Sequence, residues 1–218
     1  MKRAIFLDIE GTLTQPISSS SEYFTSEYVK LLPGVETALN YYLSREPEQL
    51  IVGISNRGED GELYLEQDLE EDSEQDEEAQ LEEYLSNNSE IIDVPIHQPQ
   101  SNVDIVIEEM KYTLSLLPQL KAIYFCPNMK GRSCWRVTRN SAVKISKDLN
   151  NHETYIPQKH SFRKPGAGMI FVASLDYDID LDQSWMVGTT AEDKDAAANA
   201  QIDFMPARQW RNQFLSVT

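Results

Sequence analysis

The sequence predicts an α/β protein built on a parallel sheet. Three observations carry this. Short apolar runs of strand length alternate with amphipathic segments of helical period. The first run, Ala4 to Asp8, is continuously apolar, as in a strand covered on both faces. Strands separated by helices need crossover connections, which are right-handed and make the strands parallel. The chain has 218 residues, 40% of them hydrophobic, enough to bury one such core. It is therefore read as one domain, 1–218, with an acidic insertion at about 59–90 and a basic insertion at about 127–162.

The elements follow in order. Ala4 to Asp8 is the first strand, and residues 15 to 32 are polar and Ser-rich. Leu32-Pro33-Gly34 opens a helix running to about Leu43, with Val35, Ala38, Leu39 and Tyr42 at helical spacing. Leu50 to Ile54 is the second strand, ending in Ser55-Asn56. Asp104 to Leu117 reads as a helix stopped by Pro118, and Ala122 to Phe125 as the third strand, ending at Cys126-Pro127. "CWRVT" and "AVKIS", flanking Arg139-Asn140, suit a hairpin. Gly168 to Leu175 is a helix, Trp185 to Val187 the fourth strand, Glu192 to Ala200 a helix, and Ile202 to Phe204 the fifth strand.

The formal net charge of −17 is concentrated rather than general. Glu59 to Glu90 holds 15 acidic residues and no Lys or Arg, which leaves about −2 for the rest of the chain. Its centre has almost nothing to bury and is expected to be solvated. Lys130 to Lys164 holds 9 basic residues against 2 acidic ones. A local +7 with Trp135 as the one obvious stacking ring does not favour a nucleic acid as partner. No apolar run is long enough to span a membrane, and no secretory leader is recognisable, so a cytoplasmic protein is expected. Oligomeric state is not legible.

Ligands of such sheets bind at the carboxyl ends of the strands. Here those ends carry Asp8 and Glu10, then Ser55 and Asn56, then Gly188-Thr189-Thr190 with Glu192 and Asp193. A cation, Lys164, stands before a helix in "FRKPGAGM". Carboxylates with a hydroxyl and a lysine can hold a divalent cation and a phosphate together. Taken singly, each has a blander reading: Asp8 and Glu10 as a surface turn, Ser55 as a strand end, Lys164 as a solvated lysine, Asp193 as a helix cap.

Together these residues resemble the haloacid dehalogenase (HAD) superfamily of phosphohydrolases. The family's first motif, hydrophobic-Asp-x-Asp-Gly-Thr, is matched by Leu7 to Thr12 with Glu10 in place of the second Asp. Its second motif is matched by Ser55, its third by Lys164, and its fourth in part by "VGTTAED". The resemblance implies a Rossmann-like fold with strand order 5-4-1-2-3, helices on both faces and no large cap domain. It implies Mg²⁺-dependent hydrolysis of a phosphomonoester through an aspartyl-phosphate. Asp8 would be the nucleophile and Glu10 the general acid/base. Ser55, Asn56 and Lys164 would bind phosphate. Asp8, Glu10, Asp193 and Thr189 would form the metal site.

Two departures matter. Glu10 reaches one methylene further than Asp, and Thr189 replaces a carboxylate with a hydroxyl. A catalytically silent binding protein is therefore an alternative, as is a phosphatase for polynucleotide ends. "SNRG", "CPN" and "RKPGAGM" look like the histidinol-phosphate and heptose-bisphosphate phosphatase branch. Those enzymes often hold a structural zinc. Half of that set survives by position, at Cys126 and His160, and Cys134 or His152 could complete a replacement set of ligands. The substrate expected is a small phosphorylated metabolite, with a second anionic group meeting Arg132, Arg136 or Arg139.

Overall fold

The computed structural model describes residues 1–17, 29–57, 102–146 and 161–213. The acidic insertion, His97, His152 and His160 lie outside the described residues. The strands are β1 (Ala4–Asp8), β2 (Thr14–Pro16), β3 (Val29–Leu31), β4 (Leu50–Asn56), β5 (Leu120–Cys126), β6 (Ser133–Val137), β7 (Ala142–Ser146), β8 (Trp185–Gly188) and β9 (Asp203–Pro206). The helices are α1 (Val35–Arg45), α2 (Asn102–Leu116), α3 (Gly168–Tyr177), α4 (Ala191–Asn199) and α5 (Ala207–Asn212).

Seven strands form one sheet in the order β7-β6-β5-β4-β1-β8-β9. The five from β5 to β9 are mutually parallel, and the β6–β7 hairpin is added antiparallel at one edge. β1 is central, which explains its unbroken apolarity. Ala4 and Phe6 enter one layer with Ile170, Val172 and Ala173 of α3 and Ala196 and Ala197 of α4. Ile5 and Leu7 enter the other with Leu39 of α1, Met110 and Leu114 of α2, and Trp210 of α5. Every residue of β1 is buried. A strand with period-2 side chains sandwiched by helices has no face left for polar residues.

The parallel register brings the ends of β1, β4 and β8 level. Asp8 pairs with Ile54, and Leu7 with Val187. The site is built there. Three features were absent from the sequence reading. Within the polar 15–32 stretch, β2 and β3 form a small antiparallel pair, each three residues long and too short to carry a pattern. α5 follows β9 and packs Trp210 into the core. The hairpin, expected only as local structure, extends the main sheet. No helix among the described residues is long and apolar enough to cross a membrane.

Candidate active site

Asp8 ends β1, and the chain must turn at once. Gly11 takes a φ of 71°, a left-handed conformation that costs glycine little. The turn returns Thr12 to the strand end, where its buried hydroxyl donates to Asp8 Oδ2 at 2.9 Å. Arg211 of α5 donates to the Gly11 and Thr12 carbonyls at 2.9 and 2.8 Å, holding the turn from outside.

Asp193 arrives by a different route. Thr190 caps α4, accepting from Asp193 N at 3.2 Å. The Asp193 carboxylate returns the contact, its Oδ2 accepting from Thr189 N and Thr190 N, both at 2.9 Å. This is a capping box with Asp in the acid position. It leaves Oδ1 free to face inward. Gly188 makes room for it, since a Cβ there would lie 2.4–2.6 Å from Asp193 side-chain atoms.

Lys164 joins the two. Its Nζ donates to Asp8 Oδ1 at 2.7 Å and to Asp193 Oδ1 at 2.6 Å. All three side chains are nearly or fully buried. Burial pushes the Asp8 carboxyl above its usual value and Asp193 adds to this; Lys164 only partly offsets it. Burial acts on Asp193 in the same sense. There it is overcome by Lys164 and the donors at Thr190, so this carboxyl lies below its usual value. Burial disfavours the Lys164 ammonium, but the two carboxylates more than compensate and raise it. The trio holds a cationic lysine between two acids.

Asn56 holds Lys164 in place. Its Oδ1 accepts from Lys164 N at 2.9 Å, and its Nδ2 donates to Lys164 O at 3.0 Å and to Glu192 Oε2 at 3.2 Å. Both amide hydrogens are therefore engaged. Asn56, expected to touch phosphate, here clamps the backbone of the lysine. Ser55 is buried at the end of β4, with only a long 3.4 Å bond to Asn56 O. Its hydroxyl can serve an incoming acceptor.

Glu10 does not join the buried trio. Its carboxylate is 53% exposed and ion-paired to Arg57, which also binds Glu109 of α2. The extra methylene lets the group reach outward to that guanidinium. Its side chain is thus not gathered as a metal ligand, and among the described residues no three His, Cys, Asp or Glu side chains cluster to hold a metal. The remaining oxygens still suit a hard cation: the buried carboxyl groups of Asp8 and Asp193, and Thr189 Oγ1 beside the Gly11 turn, 3.5 Å from where a Cβ would sit. The residues fit Mg²⁺ with fewer carboxylates than expected.

The zinc expectation is also corrected. Cys126 and Cys134 form no disulfide with one another and are fully buried in the apolar layer with Phe162. Burial pushes the Cys134 thiol far up, with Cys126 adding to it. Cys126 Sγ donates to Asn128 O at 3.3 Å. Zinc needs thiolates, and burial works against one at Cys134. Arg136 and Arg139 are misplaced too. Arg139 donates to Leu114 O and Leu117 O at the end of α2, the pole opposite Asp8. Only Arg132, exposed just ahead of β6, stays near the site's end of the sheet.

Sequence reasoning missed three residues. Thr12 lay inside the motif and Arg57 inside "SNRG", so each had a signal. Arg211, 200 residues from Gly11, had none.

Compared with known proteins, no family model matches the chain. A candidate HAD-like phosphatase from Mesorhizobium loti superposes with a TM-score of 0.53 at 16% identity, covering 92% of this chain and 69% of that one. The chain has a HAD-like fold. A curated relative of this HAD-like chain is the D-glycero-D-manno-heptose-1,7-bisphosphate 7-phosphatase of Thermosynechococcus vestitus, 34% identical over 85 residues. That match covers 37% of this chain and spans about a third, 33%, of the relative's length. A D,D-heptose 1,7-bisphosphate phosphatase from B. bronchiseptica, complexed with magnesium and phosphate, aligns at TM-score 0.45 and 18% identity over 97% of this chain and 86% of that one. The likeness of the HAD-like chain to the heptose-bisphosphate branch is carried by the 85-residue match.

Proposed function

We propose that this chain hydrolyses phosphomonoesters of small metabolites through an aspartyl-phosphate on Asp8. The observation that supports this best is the buried bridge Asp8–Lys164–Asp193 at the carboxyl ends of the strands. Thr12 fixes one Asp8 oxygen and Lys164 orients the other. The Asp8 carboxylate attacks phosphorus, an O–P bond forms, and the bond to the leaving oxygen breaks. Glu10, at the exposed mouth, gives that oxygen a proton, then takes one from the water that hydrolyses the acyl phosphate. Lys164 and the Ser55 hydroxyl bind the transferring phosphoryl oxygens. Mg²⁺ held by Asp8, Asp193 and the Glu10 carbonyl, with Thr189 beside them, would supply charge neutralisation. Two buried cysteines that are not joined in a disulfide suit a reducing compartment, and the cytoplasm is the proposed location.

The test is a panel of sugar phosphates and other small phosphomonoesters incubated with the purified chain and Mg²⁺, scored by released phosphate. Turnover of one or more members, lost in Asp8→Asn, is the expected result. No turnover of any member would favour the second reading, a silent binding protein, which the Glu10–Arg57 pair and the short set of carboxylates support. Beryllofluoride with Mg²⁺ separates the two. Binding marks a competent aspartate, whereas its absence marks a silent site.

A further inference from the structure

At the pole opposite Asp8, the β6–β7 turn folds against the start of β5 and the ends of α2 and α3. A recess of about 380 Å³ lies there, lined by Lys121, Arg136, Thr138, Arg139, Asn140 and Tyr177. That volume suits a small organic molecule. Half of the lining residues are cations, and most of their charge is uncompensated.

Each cation is held differently. Arg136 donates to Asp176 Oδ2 at 2.9 Å, an oxygen that also accepts from Tyr124 Oη at 2.5 Å. Its enclosed Nε has no hydrogen-bond partner among the described residues. Arg139 spends one nitrogen on Leu114 O and Leu117 O, at 3.1 and 3.2 Å. Those carbonyls orient the guanidinium without neutralising it, and its other donors remain. Lys121 makes no ion pair among the described residues; its ammonium lies 5.8 Å from the centre of the Tyr177 ring. Pairing Arg136 with Asp176 therefore leaves two positive charges facing one concavity. The turn beside them is stiff, because Thr138 Oγ1 accepts from Asn140 N and Ser141 N at 3.4 and 3.1 Å. The Asn140 side chain is exposed at the rim.

We propose that this recess binds a small phosphate-bearing anion, at a site separate from the catalytic pocket. Guanidinium forks and an ammonium on a pre-set frame are the donors that phosphate recognition uses. The proposal does not depend on catalysis at Asp8.

The test is a titration of the ¹⁵N-labelled full chain carrying Asp8→Asn with pyrophosphate, following the backbone amides of Thr138, Asn140 and Tyr177. The substitution keeps the probe from being turned over. A saturable shift with a dissociation constant of about 1 mM or tighter is expected. Lys121→Ala, at an exposed position with no structural contact beyond a ring, should weaken it about tenfold. Arg139→Gln should weaken it at least as much. Absence of a saturable shift, or an affinity in both variants equal to that of the chain carrying Asp8→Asn alone, would overturn the proposal.

Discussion

Lys164 and Lys121 are the same residue at opposite poles of one sheet, in settings that could hardly differ more. Lys164 is 5% exposed, with both neighbouring carboxylates within 2.7 Å. Lys121 is exposed and makes no ion pair among the described residues. Burial removes water's screening, so at the Asp8 pole each charge strongly shifts its neighbours. At the other pole water screens the cations, and their effect is limited to attracting anions. Reactive chemistry belongs where desolvation sets carboxylates against one another.

The sharpest break of this contrast is catalytic. Asp8→Asn should cut turnover of whichever phosphomonoester the panel identifies by about 10³-fold or more, measured as phosphate release. Removal of either distal arginine should leave that rate unchanged. Comparable turnover in Asp8→Asn would mean that the buried bridge is not the reaction centre.

Next in size is stability. Lys164→Met strands two buried carboxylates and should cost about 3–5 kcal/mol in urea unfolding at neutral pH. Lys121→Met should stay within about 0.5 kcal/mol. Similar values for the two would erase the distinction between the poles.

Gly188→Ala tests whether the pole is tightly built. Its Cβ would overlap Asp193, so a loss of about 1–3 kcal/mol is expected, together with reduced turnover. A stable, fully active variant would mean that the capping box can shift freely.

The smallest effect has the opposite sign. The folded-state value of Asp8 is raised above the ordinary 3.8, so its ionised form destabilises the fold wherever the pH exceeds that raised value. Asp8→Asn should therefore stabilise the fold at pH 7. The gain should shrink as pH falls through the raised value and vanish below about 3.8. Denaturant midpoints across pH provide the measurement. A loss at neutral pH would show that pairing with Lys164 outweighs desolvation.

These effects differ in how far the sequence announced them. Asp8, Ser55, Lys164 and Asp193 were legible because each sits at the end of an apolar run or the start of a helical one. Topology places such ends together in a parallel sheet. The branch-like motifs misled on zinc, because position in a motif does not tell whether a thiol lies in an apolar layer. They did not announce the clamp at Asn56 either, because its amide partners are the backbone of a residue 108 positions away. Arg136 and Arg139 were read as a charge run beside the site, but a hairpin strand carries successive residues away from the end where it began.

The sequence by itself determined the elements, the central strand and the types of the side chains gathered at the strand ends, because period and composition act over a few residues at a time. Tertiary structure alone decided which charges met. Glu10 went to Arg57 and Lys164 to two acids, one of them 156 residues away. Arg211 went to the Gly11 turn. Such pairings depend on strand order and on how completely water is excluded, and neither is written in any local stretch of chain.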